Sequence, residues 1–110
     1  MSHKTVYSTV SAIVPCAHIE WPDDSAPALP WACYHGEDRP VTASDIQIAV
    51  RRFWTVELYE KRRDKALETQ LANALRERFG AVKRDESYIE NENMLMVAFS
   101  FAEIEGEFDG

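Results

Sequence analysis

The stretch IQIAVRRFWTVELYE, residues 46 to 60, decides the fold. Isoleucine, valine, threonine and aromatic side chains crowd it, and these pack well on a pleated surface, so it reads as the longest strand of the chain. Trp54, Val56 and Leu58 alternate with Phe53, Thr55, Glu57 and Tyr59. Aromatic residues fall on both sides, which predicts cover on both faces.

Working outward, Asp64 offers an N-cap oxygen to a following helix whose apolar positions are Leu67, Leu71, Ala74, Leu75 and Phe79. Gly80 ends it as a C′ residue does. Glu68, Gln70, Asn73, Arg76 and Glu77 form the polar face, expected to meet solvent or a neighbour. After AVKRDES, the run YIENENMLMVAFSFAEI alternates Leu95, Val97, Phe99 and Phe101 with Met94, Met96, Ala98 and Ser100, the pattern of a central strand.

Upstream, Val6, Val10 and Ile13 recur at helical spacing, and Pro15 stops that short helix. CAHIEW then reads as a strand with Ala17, Ile19 and Trp21 on one side. PDDSAPALP, with three prolines, is a loop. WACYHG is a short strand closed by Gly36, and EDRPVTASD a polar turn region. Strands outnumber helices and connections are short. The expectation is an α+β fold: one domain over residues 1–102, with a mixed or antiparallel sheet of four to five strands and a helix or two on one face. Residues 103–110 form an acidic tail.

With 110 residues, 45% of them hydrophobic, the chain has material for one core. No apolar run approaches the roughly 18 residues that span a bilayer, and no cleavable leader is legible, so a cytoplasmic origin without membrane contact is expected. The net charge of −7 argues against general affinity for nucleic acid. Its distribution is uneven: residues 51–84 carry ten basic and five acidic side chains, residues 85–110 none and eight. A basic middle and an acidic end suit head-to-tail contact between copies, and equally a solvated helix face beside an acidic tail.

Cys16-Ala17-His18 and Cys33-Tyr34-His35 repeat a Cys-x-His pair, and Cys₂His₂ is a legitimate zinc set. The spacing is not that of a zinc knuckle. Residues i and i+2 of a strand share a face, so two such pairs would surround one ion only if their registers matched. Buried reduced thiols are the expected state, with no metal and no cofactor. The chain has no phosphate-cradling glycine loop, no H-E-x-x-H and no ordered calcium loop. A Cys-His nucleophile would lack a legible third orienting group, and an enzyme is not expected.

AHIEWP, LPWACYHG, TVELYEKRRDKALETQLANAL and YIENENMLMVAF together resemble, in order and spacing, the tail terminator (tail completion) family of long-tailed bacteriophages and prophages of Gram-positive type. The resemblance spans about residues 5 to 100 and rests on Trp21-Pro22, Leu29-Pro30-Trp31, Leu58-Tyr59, Asp64 with Glu68, and Tyr88-Ile89-Glu90. It implies a structural virion protein, made in the host cytoplasm, that sits as a ring, commonly a hexamer, on the head-proximal end of the tail tube. Such a ring stops tube polymerisation and offers the head-tail joining surface. The implied partners are further copies of the chain, the tail tube protein and a head-tail connector, with DNA crossing the lumen without specific binding. EDRPVTASD and the residues after Ala102 depart from the family pattern.

The charge distribution and the implied ring suggest that Arg51, Arg52, Arg62 or Arg63 of one subunit approaches Glu90, Glu92 or Glu103 of the next. Acids after Arg84 would line the lumen and repel phosphate. Another neck or connector protein, a small acidic binding or inhibitor protein, and last a zinc-dependent protein remain as alternatives.

Overall fold

The computed structural model describes residues 2–21, 26–89 and 93–106. Its elements run α1 (Ser2–Ser11), β1 (Cys16–His18), β2 (Trp31–Ala43), β3 (Ile46–Glu60), α2 (Lys65–Phe79), β4 (Lys83–Ile89) and β5 (Met94–Gly106). The strands form one sheet in the order β1-β2-β3-β5-β4. β1 runs parallel to β2 and every other pairing is antiparallel, so the α+β expectation holds with a mixed sheet of five strands.

Both helices lie on one face of the sheet. Val6 and Val10 of α1 and Leu71, Ala72 and Leu75 of α2 meet Ala32, Tyr34, Trp54, Val56, Leu58, Val97, Phe99 and Phe101 in one buried cluster. The even positions of β3 and the odd positions of β5 face this core because cross-strand partners share a face: Val56 opposes Phe99, and Leu58 opposes Val97. The expected cover on both sides of β3 is corrected: no helix among the described residues lies on the other face, where Phe53, Thr55, Glu57 and Tyr59 are half-buried.

α2 starts and ends where its sequence says. Asp64 has extended backbone and its Oδ1 accepts from the N–H of Leu67 at 3.0 Å, and Gly80 at φ 88° donates to the carbonyl of Arg76. A left-handed φ of that size favours glycine.

Four strands differ from expectation. β2 does not close at Gly36 but runs on to Ala43. The apparent turn region is an exposed hairpin arm whose real turn is Ser44-Asp45, both at positive φ as a two-residue primed turn requires. Pro40 is tolerated there because β1 covers β2 only at Ala32–Tyr34, leaving the rest of that edge without a neighbour among the described residues. β1 is shorter than CAHIEW, because Ile19 turns to φ 69° and ends it; Ile19 is 61% exposed rather than core-facing. AVKRDES supplies a strand as well: β4 pairs with β5 from Lys83 opposite Ser100 to Ile89 opposite Met94. β5 also continues past Ala102, so residues placed in an acidic tail are in register with β3 as far as Gly106 opposite Ala49.

Candidate functional site

The register of β1 against β2 separates the two Cys-x-His pairs. Cys16 opposes Ala32 and His18 opposes Tyr34, while Cys33 opposes Ala17. Cys16 and His18 therefore share the helix-covered face, and Cys33 and His35 point to the other face. Four ligands divided by the sheet do not surround one ion, and no group of three or more His, Cys, Asp or Glu side chains among the described residues is placed to hold one. Burial, reinforced by Cys33, pushes the Cys16 thiol up to about 12; burial, with Glu57 and Glu20 adding to it, pushes Cys33 up to about 11. Both stay protonated at neutral pH, the state of inert thiols rather than of ligands or nucleophiles.

The basic set splits in two. Arg52 is held by Asp38, Nε donating to Oδ1 at 2.6 Å, and this guanidinium lowers the Asp38 carboxyl below its ordinary range. Arg63 donates to Glu86 at 2.7 Å and to Glu68 at 3.3 Å. Arg51 and Arg62 are exposed and carry no ion pair among the described residues. On the acidic side, Glu103 accepts from the indole N–H of Trp54 at 2.8 Å, and Glu90 and Glu92 lie outside the described residues.

Arg51 stands opposite Arg39 on the hairpin arm, two like charges in directly facing positions. Phe53 moderates the pairing, its ring centroid 4.4 Å from the Arg39 guanidinium carbon and 5.9 Å from that of Arg51. Glu37 takes up part of the charge of Arg39 at 3.2 Å. An anion from elsewhere would relieve the remainder.

Between this arginine pair and the other end of β3, the helix-free face carries several large side chains. Trp31 packs on Tyr59 with ring centroids 4.7 Å apart, Trp21 meets Trp31 edge-on at 6.2 Å, and Tyr59 opposes Met96. Ala98 and Ala102 extend the row flat toward Phe53. Trp21 and Trp31, one on each side of the proline-rich segment in the sequence, thus meet beside Tyr59.

The junction between β3 and α2 holds a feature that the sequence reading assigned wrongly. Glu68, expected on the solvent face of α2, is fully buried. It occupies the same stripe as Leu71, Ala72 and Leu75, at i, i+3, i+4 and i+7, and that spacing was the available signal. Its Oε1 accepts from Nη2 of Arg84 at 3.0 Å as well as from Arg63. Glu60, the last residue of β3, lies beside it at 2% exposure and lines a cleft of about 250 Å³ with Leu29, Pro30, Lys61, Arg62, Asp64 and Leu67. Burial first, then the hydrogen bond and charge of Glu68, push the Glu60 carboxyl up to about 8.

Compared with known protein families and with curated proteins, the chain matches none.

Proposed function

We propose that the chain is a structural assembly protein that closes into a ring on the head-proximal end of a phage tail tube, halts tube growth and offers the surface to which the head joins. The observation that carries the reading is the helix-free sheet face. A five-stranded sheet with Trp31, Tyr59, Met96 and Phe53 on its uncovered side has contact area to give to a neighbour, and aromatic side chains supply it at low entropic cost. The resemblance of the four sequence segments to tail terminators supports the same assignment.

The charged contact is narrower than the sequence suggests. Arg52, Arg63 and Glu103 already have partners within the subunit, so of the four arginines expected at the contact, Arg51 and Arg62 are those without an ion pair among the described residues and left to meet an acidic neighbour. A contact repeated around a closed rotation makes a ring, and exposed charge pairs weaken as salt rises. Multi-angle light scattering at low and high salt, with and without tail tubes, tests this. The expected result is a salt-sensitive ring of several copies, or tubes capped at one end, lost in Arg51→Glu. A strict monomer that ignores tubes overturns the assignment.

A further inference from the structure

The side chains of Glu60 and Glu68 meet in the interior where β3 gives way to α2, and the donors available to them are unequally shared. Oε1 of Glu68 has two guanidiniums. The other three oxygens, both of Glu60 and Oε2 of Glu68, are buried and meet no donor with hydrogen-bond geometry. An ionised carboxylate removed from water without a donor is heavily penalised, and a second anion against it adds to the penalty. These oxygens are buried, although Glu60 itself lines the neighbouring cleft.

One proton removes both penalties. We propose that Glu60 and Glu68 share a single proton, the carboxyl of Glu60 donating it to Oε2 of Glu68, and that this bond is a pH-sensitive latch joining the end of β3 to the start of α2. The surrounding charges decide which member is protonated. Arg84 from β4 and Arg63 from the connecting loop both pair with Oε1 of Glu68, and Glu86 of β4 in turn binds Arg63. Glu60 has no ion pair among the described residues; burial and Glu68 oppose its ionisation, and they outweigh the nearby backbone N–H of Asp64, which favours it, while the Asp64 charge opposes it more weakly. Lys61 and Arg62 line the outer cleft. When the latch titrates, solvent takes the proton and two anions face one another.

The native state therefore holds a proton that the unfolded chain gives up near its ordinary value of 4.5. Stability from this pair is full below that pH, falls as pH rises toward about 8, and levels off above it. The test follows glutamate carboxyl carbons by NMR in uniformly labelled wild-type protein from about pH 4 to pH 10. One glutamate carboxyl titrating about two or more pH units above the rest, and missing from the spectrum of Glu60→Gln, is the expected result. If every glutamate titrates below about pH 6, the latch does not exist. Glu60→Gln, whose amide donates to Glu68 as the protonated acid does, is expected to fold and to flatten the fall in denaturation midpoint over that range. Parallel pH profiles for wild type and Glu60→Gln overturn the proposal, and the wild-type titration decides the matter even if the variant does not fold.

Discussion

Gly36→Ala adds a single methyl group at a strand position where none fits. Gly36 faces Trp54 across β2 and β3, and a Cβ there would lie 2.7 Å from both Cε3 and Cζ3 of the indole. The ring has little freedom to yield. It is 4% exposed, and its N–H is tied to Glu103 at 2.8 Å. Forcing a methyl group into a packed site costs about 1–3 kcal/mol. Weakening the bond from the indole to a carboxylate adds to this, since hydrogen bonds to charged groups contribute about 1.5–3 kcal/mol. Against both stands the stiffer unfolded chain of alanine, a gain of about 0.4–1 kcal/mol. The net expectation is a loss of about 2 kcal/mol, or a melting temperature lower by about 8–16 °C for a domain of this size. Thermal and urea unfolding should be measured for Gly36→Ala, for Trp54→Leu and for the double variant. The alanine should cost little once the indole is gone. An alanine variant as stable as the wild type, or one whose penalty is unchanged in the Trp54→Leu background, refutes the reasoning.

Asp64→Ala removes the acceptor for the N–H of Leu67 and should lower stability by about 1 kcal/mol, whereas Asp64→Asn should retain most of it; equal midpoints for all three proteins in urea contradict the capping role. Because Cys16 and Cys33 are buried and raised to about 12 and 11, a disulfide reagent near pH 8 should modify the native protein about 100-fold more slowly than the unfolded chain. A native thiol that reacts at the unfolded rate would mean that β1 and the start of β2 open freely.

The elements that read well from sequence are those in which one local signal dominates. α2 is bracketed by Asp64 and Gly80, and β5 has four alternating large apolar residues with a core on one side. The hairpin arm was misread because Glu37, Asp38, Arg39 and Pro40 are both turn-forming and solvent-loving, and an arm without a core beneath it has no apolar alternation to display. β4 escaped for the same reason: its residues from Lys83 to Tyr88 are all exposed. The paired Cys-x-His segments look equivalent because each occupies alternate strand positions. Their separation depends on a register between β1 and β2, which is a property of two segments and not of either one. The half-buried aromatic row was visible as alternation on β3, but whether a second layer covers it is settled by where the helices pack.

Both borders of the sheet discourage indiscriminate growth. Along β2, Pro40 withholds an N–H from any strand that would lie beside it, and β4 presents Lys83, Arg84, Asp85 and Glu86 in succession. Backbone-to-backbone stacking into fibres is thereby penalised at both edges, while the broad face remains approachable. In a chain shaped in this way, any contact with a neighbour falls to side chains on the sheet face rather than to strand addition at an edge.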